Sequence, residues 1–268
     1  MSNKIWKIVL MVSLVVIVVA SVNIFNLSKE YQKGINEYKE LENYVKVVEA
    51  PVKEEAAETE IPDKTIEETE EVKESVIPVN LEVDFPALKA INDDLVGWLY
   101  YEPLEINYPV VRGDDNEHYT HYTFEGEKNA SGAIFMDSLN KPDMSNYNTI
   151  IYGHNMRNGT MFGSLKKMLN DEGIVEENPY FYVFTEDKAY MYEIASVYIT
   201  RQTSDTYNLI SNEEEQQEYI DYVKSSSTWY WQKELKNTDK IVTLSTCHGL
   251  HSNNRTIVHG VLIAEEDR

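Results

Sequence analysis

KIVTLSTCHGLHSNNRTIVHGVLI, residues 240–263, contains two apolar, β-branched runs on either side of a polar loop. The pattern predicts one strand at 240–246 and a second at 256–263. Cys247 lies at the C-terminal end of the first strand, and Arg255 opens the second. If the two strands pair, these two side chains lie side by side at the mouth of a loop that a substrate can reach.

Cys247 is the single cysteine among 268 residues, so the chain forms no internal disulfide and its fold depends on a packed core. A lone cysteine is often a small buried apolar residue. In an exported protein, an unpaired thiol instead indicates a chemical role. The nucleophilic thiolate is favoured by a nearby cation, and Arg255 is a candidate for that cation. The pattern by itself leaves open that Arg255 is only a surface residue.

A nucleophilic thiol needs a general base, which histidine most often supplies. The chain has six histidines: His118, His121, His154, His248, His251 and His259. His154 follows the apolar run 149–152 and opens a loop. His248 competes by proximity, but neighbouring strand residues point to opposite faces, so it should face away from the Cys247 thiol. We therefore predict His154 as the base, with a structural role as the alternative for any single histidine.

The N-terminus predicts a membrane anchor. Residues 8–25 are almost all apolar, close to the roughly 20 residues that cross a bilayer as a helix. Lys4 and Lys7 precede the run, which predicts a cytoplasmic tail at 1–7 and the rest of the chain outside the cell. A cleavable signal peptide ending near Ala20 is the alternative, but the apolar run continues past that point. We expect a single-pass signal-anchor.

Residues 26–80 predict a juxtamembrane stalk followed by an acidic linker. Apolar residues recur at three- and four-residue steps between positions 27 and 48, which fits a short amphipathic helix or a weak coiled coil. Gly34 falls on the same seam, so a simple stalk is the favoured interpretation. From 49 to 74 the chain is Glu-rich with almost no large apolar residues, which predicts a disordered spacer that extends the reach of the domain.

The overall charge excludes one class of partner. The formal net charge is −22, from 46 acidic and 24 basic side chains. Nucleic-acid binding needs clustered Lys and Arg side chains that neutralise phosphates. The composition therefore predicts no nucleic-acid partner for this chain.

Residues 81–268 read as one globular, mainly β domain. β-Branched and aromatic runs predict six further strands, at 96–101, 106–111, 132–136, 149–152, 180–184 and 190–200. Apolar residues at helical spacing predict helices at 85–95, 160–169 and 212–225, the last with Ser211 as its N-cap. Many short strands with few helices favour a barrel or a sandwich over a parallel α/β sheet.

Several motifs together resemble the sortases. The run TLSTC at 243–247, Arg255 and the run YGHN at 152–155 are similar to a sortase catalytic set. Further runs resemble the class B branch: INYPVV at 106–111, GAIFMD at 132–137, GHNMRNGTMF at 153–162 and the helix at 212–225. The resemblance covers roughly residues 85–263, nearly the whole globular part, with the motifs in the expected order.

The resemblance implies a closed sortase-type β-barrel with a few peripheral helices, anchored to the cell membrane of a Gram-positive cell with its catalytic domain outside. Cys247 would attack a C-terminal sorting signal of a secreted protein, and an amine of a cell-wall precursor would resolve the thioacyl intermediate. His154 would act as general acid and base, and Arg255 would stabilise the oxyanion. Ser245 and Thr246 resemble residues that line the substrate groove. The resemblance implies no metal and no cofactor.

Some class B relatives carry an acidic residue shortly after the cysteine, where this chain has His248 and Gly249, so we name no carboxylate in the catalytic set. One alternative is a tethered binding module with an inert cysteine. Another is a pilin-polymerising sortase, although residues 49–74 lack the aromatic-flanked Asp-Pro motif of an N-terminal lid. A papain-like hydrolase is disfavoured, because there the cysteine precedes the histidine.

Overall fold

The computed structural model describes residues 3–49, 75–231, 236, 239–249 and 253–268. Within these ranges lie four α-helices: α1 (Asn3–Leu41), α2 (Phe85–Ile91), α3 (Gly173–Glu177) and α4 (Glu213–Ser226). The same ranges contain eleven strands: β1 (Val45–Glu49), β2 (Val79–Val83), β3 (Leu95–Tyr101), β4 (Ile106–Val111), β5 (Ile134–Met136), β6 (Asn148–Tyr152), β7 (Tyr180–Phe184), β8 (Lys188–Arg201), β9 (Trp229–Tyr230), β10 (Ile241–Cys247) and β11 (Asn254–Asp267). Short 3-10 helices lie at Glu42–Tyr44, Glu102–Leu104, His118–Thr120, Leu165–Leu169 and Asp205–Tyr207.

Eight of these strands form a closed barrel in the order β11-β10-β6-β5-β4-β3-β7-β8, because β11 pairs with both β10 and β8. Strand β9 also pairs with β8, and β1 pairs with β2 in a separate two-stranded sheet. Closure satisfies the backbone groups that an open sheet leaves at its edges. The predicted closed barrel with a few peripheral helices is thereby confirmed.

Aromatic side chains dominate the barrel core. Trp98, Phe181 and Phe184 are fully buried, and burial of each side chain contributes roughly 2–3 kcal/mol. The indole Nε1–H of Trp98 donates to Oδ1 of Asn107 at 2.7 Å, so its polar end is satisfied. This packed core replaces the disulfides that a chain with a single cysteine cannot form.

Two helices are shorter than predicted. Helix α2 ends at Ile91 because Asn92 is extended and leads the chain towards β3. Within 160–169 only Leu165–Leu169 is helical, as a 3-10 helix. Met161 has a φ of +54°, a left-handed conformation that an α-helix does not accommodate. The apolar spacing at 160–169 therefore results from burial of this segment and not from an α-helix.

The N-cap of α4 is Asn212 and not the predicted Ser211. The Asn212 Oδ1 atom accepts a hydrogen bond from the Glu215 amide at 3.0 Å, as an N-cap side chain does. The Ser211 hydroxyl instead donates to the Glu215 carboxylate at 2.8 Å. Both residues therefore secure the start of α4, but from neighbouring positions.

Helix α1 begins in the apolar N-terminal run and ends against the domain. Its apolar part has a mean hydropathy of 2.9 and is 0% buried, so by length and composition it could cross a membrane. Its last turns differ, because Tyr38 and Leu41 are only 5% and 1% exposed. The seam of apolar residues therefore packs on the domain at the end of the helix that forms the predicted stalk.

The acidic segment leaves and rejoins the folded part at adjacent points. Glu49 at the end of β1 lies opposite Val79 at the start of β2. Partners in an antiparallel ladder are about 5 Å apart. The predicted disorder falls on residues 50–74, which lie outside the described residues. The predicted spacer role stays a prediction, and the described residues show only that β1 and β2, on either side of this segment, pair with each other.

A buried polar network crosses the barrel wall beneath α4. The Thr243 hydroxyl donates to Asn148 Oδ1 at 2.6 Å and therefore accepts from His259 Nδ1–H at 2.8 Å. The Tyr198 hydroxyl lies 2.9 Å from His259 Nε2, which in this tautomer accepts the hydrogen bond. Both ring nitrogens of His259 are thus hydrogen-bonded when the imidazole is neutral. Burial lowers the pKa of His259 to about 3.

Acidification should destabilise the protein through His259. The folded-state pKa of about 3 lies below the usual value of 6.5, so the unfolded chain binds the proton first as the pH falls. The free energy of unfolding should drop by about 2 kcal/mol between pH 7 and pH 5 from this group. Urea unfolding of the detergent-solubilised chain, followed by tryptophan fluorescence, measures the drop. A His259→Gln variant with an equally large drop would contradict the assignment.

Candidate active site

Strands β10 and β11 bring Cys247 and Arg255 together. The two residues are register partners in the antiparallel pair, as the sequence predicts. The Cys247 thiol is half-buried at the end of β10. The Arg255 Nη2–H donates to Oε1 of Gln202 at 2.7 Å, which directs the guanidinium along the barrel rim. A cation and a thiol therefore share one end of the barrel.

His154 reaches the same end through β6, which runs parallel to β10 and pairs Tyr152 with Ser245. The ladder continues one step further, where the Gly153 amide donates to the Ser245 carbonyl at 3.1 Å. His154 is two residues after Tyr152, and Cys247 is two residues after Ser245, so both lie just beyond this pair. Parallel strands end at the same edge of a sheet, so the histidine arrives beside the cysteine.

Residues 118–133 lie against one edge of the His154 ring. Its Nε2 lies 2.7 Å from the Thr120 carbonyl oxygen, which accepts only, so Nε2 carries a proton. A Cβ atom added to Gly132 would lie 2.9 Å from His154 Cδ2, and Gly132 has a φ of +54°. Only glycine suits this backbone and this close approach. The Nε2–Cδ2 edge thus faces these residues, and the Nδ1 atom on the other edge is the proton acceptor of the neutral ring.

The environment keeps His154 neutral. Burial lowers the pKa of His154 below its usual value, the hydrogen bond to the Thr120 carbonyl partly opposes that shift, and nearby His121 adds to it. A neutral imidazole is the form that accepts a proton from a thiol. The position and the protonation state of His154 are therefore those of a base.

A cleft of about 330 Å³ joins these three residues. It is lined by Asn116, Thr120, Phe135, Tyr152, Gly153, His154, Gln202, Tyr207, Ser245, Thr246, Cys247 and Arg255. The structure thus brings every predicted site residue to one concave surface. Such a cleft, with a thiol, an imidazole and a guanidinium on its walls, is equipped for acyl transfer.

A family model described as the sortase domain matches residues 99–263. The chain belongs to the sortase family. The matched segment includes Cys247, Arg255 and the loop that carries His154. The sequence resemblance is thereby confirmed.

Known relatives place this sortase in class B. Sortase B of Listeria monocytogenes serovar 1/2a is 36% identical over 183 residues, which are 66% of this chain and 73% of that protein. Sortase B from Bacillus anthracis in complex with AAEK1 superposes with a TM-score of 0.67 at 32% identity, over 88% of this chain and 98% of the other. The Staphylococcus aureus sortase B–substrate complex has a TM-score of 0.63 at 31% identity, over 67% and 84%. The chain is accordingly a cysteine transpeptidase of the type that anchors surface proteins.

Tyrosines form one wall of the cleft. The loop before α4 contributes Tyr207, whose hydroxyl lies 2.7 Å from the Ser245 hydroxyl. The Tyr207 ring stacks on Tyr152 with centroids 6.2 Å apart. Burial raises the pKa of Tyr207 to about 12, and Ser245 and Arg255 counteract part of that rise. The wall is therefore aromatic and uncharged.

The buried carboxylate of Asp137 supports this wall and not the histidine. Asp137 accepts hydrogen bonds from the Tyr152 hydroxyl and from Asn116 Nδ2, both at 2.8 Å. His154 is oriented by the backbone carbonyl of Thr120 instead. Asp137 is the last residue of the run GAIFMD, which resembles class B sortases. The sequence therefore drew attention to this residue but did not show which side chains it bonds to.

Two residues near Cys247 lie on the other face of β10. The His248 Nδ1 atom lies 3.0 Å from the Thr256 hydroxyl, so this ring faces away from the cleft, as strand alternation predicts. The Thr246 hydroxyl is buried, with no hydrogen-bond partner among the described residues. Any contact of Thr246 with a substrate would therefore be through its backbone. His251 lies outside the described residues.

Proposed function

We propose that this sortase cleaves a C-terminal sorting signal of secreted proteins and joins the new carboxyl end to an amine of a cell-wall precursor. The observation that carries the proposal is the single cleft shared by Cys247, His154 and Arg255. Ser245 and the backbone of Thr246 are proposed to contact the peptide beside the thiol. The proposed catalytic domain is 81–268.

The first half-reaction forms a thioester. Nδ1 of His154 takes the proton of the Cys247 thiol, and the thiolate sulfur attacks the scissile carbonyl carbon. The guanidinium of Arg255 stabilises the oxyanion of the tetrahedral intermediate, which places fixed positive charge where negative charge develops. The C–N bond then breaks, and His154 gives its proton to the leaving amine. The secreted protein, which now ends at the cleaved bond, is left as a thioacyl group on Cys247, and the C-terminal remainder of the sorting signal leaves with the new amine.

The second half-reaction transfers the acyl group. The acceptor amine attacks the thioester carbon while His154 Nδ1 removes a proton from the amine nitrogen. The C–S bond breaks, a new amide forms, and the proton returns from His154 to the Cys247 sulfur. One amide is exchanged for another, so no oxidant, reductant or energy source is consumed.

The partners follow from this scheme and from helix α1. We propose that α1 anchors the chain in the cytoplasmic membrane with a single pass, with its N-terminus inside, as Lys4 and Lys7 indicate. The catalytic domain then faces the secreted proteins and the cell-wall precursor outside the cell. A net charge of −22 supports the absence of a nucleic acid from this set of partners.

Mass spectrometry of the full-length chain tests the proposed function. The detergent-solubilised protein is offered a library of sorting-signal peptides, first alone and then with a glycine-based peptidoglycan amine. We expect a thioacyl adduct on Cys247 in the first experiment and a ligated peptide in the second. A Cys247 that forms no adduct and resists iodoacetamide would indicate an inert binding module. Ligation only to a lysine of a pilin-like acceptor would indicate a pilin polymerase.

A further inference from the structure

The last turns of α1, residues 30–41, dock on residues 118–133 (here called the support loop). A Glu30 carboxylate oxygen accepts a hydrogen bond from the Ala130 amide at 3.0 Å. The backbone carbonyl of Glu30 accepts a second one from Asn129 Nδ2 at 2.8 Å. Further along the helix, Glu37 Oε1 accepts from the Glu125 amide at 3.0 Å. These contacts specify one position of α1 on the support loop.

Tyr38 lies at the centre of this interface and is 5% exposed. Its hydroxyl donates to the Gly132 carbonyl oxygen at 2.6 Å and accepts from the Phe124 amide at 3.3 Å. Its ring meets that of Tyr108 edge to face, with centroids 5.4 Å apart. A buried hydroxyl with both roles satisfied adds directionality that an apolar side chain lacks.

Tyr38 and His154 both lie against Gly132. The Gly132 carbonyl bonds to the Tyr38 hydroxyl, while a Cβ atom on Gly132 would lie 2.9 Å from Cδ2 of the histidine ring. The Thr120 carbonyl that fixes Nε2 of His154 belongs to the same support loop. A shift of the support loop would therefore move both contacts of the ring.

A second route leads from Tyr38 to the loop that follows His154. The Tyr108 hydroxyl, on the ring that packs against Tyr38, accepts a hydrogen bond from the Met161 amide at 3.1 Å. The adjacent Phe162 amide donates to the His154 carbonyl at 3.0 Å. The histidine is thus supported through its ring and through its backbone, and both supports lead to the same tyrosine of α1.

We propose that Tyr38 is a positioning residue for His154, so that the end of the membrane anchor helix is part of the catalytic apparatus. The inference rests on the proposed function only for the role of His154. The helix then does more than hold the enzyme at the membrane, because it sets the geometry of the base. Displacement of a catalytic group by about 1 Å lowers turnover by up to about a hundredfold.

Gly34 explains how the helix comes so close. Glycine in a helix interior costs about 1 kcal/mol relative to alanine. A Cβ atom at this position would lie 2.8 Å from the Ser131 hydroxyl and 3.1 Å from Asn129 Oδ1. Gly34, which weakens a coiled-coil interpretation of the apolar positions between 27 and 48, therefore permits the contact with the support loop.

Steady-state kinetics of full-length variants test the proposal, with the peptide that acylates Cys247 most strongly. Tyr38→Phe keeps the ring packing but leaves the Gly132 carbonyl without its donor, and we expect kcat to fall about tenfold with KM within about twofold. Gly34→Leu separates helix and support loop, and its kcat should fall at least as far. Lys33→Gln is the matched control, because it removes only an exposed ion pair with Glu127 at the same interface. Its kcat should equal that of the wild type.

Rates are normalised to the fraction of folded protein, measured by tryptophan fluorescence, so that unfolded protein does not count as lost turnover. A wild-type kcat for Tyr38→Phe, or an equal fall for Lys33→Gln, would overturn the positioning role. An unchanged KM with a lowered kcat separates positioning from a change in peptide binding. If Cys247→Ala or His154→Ala stayed active in the same assay, the proposed function itself would fail, whatever the result at Tyr38.

Discussion

Replacement of Cys247 by alanine should abolish both the thioacyl adduct and the ligated product. No second thiol exists among the 268 residues, so no neighbouring side chain can replace the nucleophile. Loss of the nucleophile in a covalent mechanism lowers kcat by about 10⁴-fold or more, because the remaining groups act as a unit with it. Mass spectrometry detects the adduct, and chromatography of the amine-ligated peptide gives the rate.

The serine variant is the matched control for Cys247→Ala. Cys247→Ser keeps the size and the polarity of the side chain but replaces a thiol by a poorly ionised hydroxyl. We expect it to be nearly as inactive, with a melting temperature and peptide affinity close to those of the wild type. Substantial ligation by the alanine variant would refute the thioacyl mechanism, and unfolding of both variants would show that the thiol has a structural role.

His154→Ala should lower kcat about 10²- to 10⁴-fold, which is the usual contribution of a general acid and base. Without the imidazole, the thiol proton lacks its acceptor and the leaving amine lacks its proton donor. Single-turnover acylation of Cys247 by the peptide measures the first of these transfers directly. Burial holds the pKa of His154 below its usual value, so the wild-type rate should persist below neutral pH and fall as the ring becomes protonated.

His248→Ala provides the matched comparison for this base. His248 follows Cys247 directly, but its ring faces Thr256 on the other side of β10. We expect the His248 variant to acylate within about threefold of the wild type, a change that amounts to less than about 1 kcal/mol in the barrier. An inactive His248→Ala protein together with an active His154→Ala protein would reverse the assignment.

The hairpin of β10 and β11 was predictable because its cause is local. Two apolar runs separated by a short polar loop pair with each other, and the loop length sets which residues face each other. That register places Cys247 opposite Arg255, and alternation along the strand turns His248 away. The element boundaries in the cleft loops were less predictable. The spacing at 160–169 follows burial, whereas the turn at Met161 depends on contacts from elsewhere in the chain.

The sequence by itself indicated a candidate nucleophile and its cationic neighbour, the mainly β fold and an apolar helix long enough for a membrane. These features arise from the chemistry of single residues and from periodicity over a few positions. Only the tertiary structure decided that the Thr120 carbonyl orients His154 and that Tyr38 bonds to the same loop. It also decided that β1 and β2, on either side of the acidic segment, pair with each other. Backbone carbonyls are present at every residue, and contacts between distant segments leave no periodic pattern, so neither can be recognised before the chain is folded.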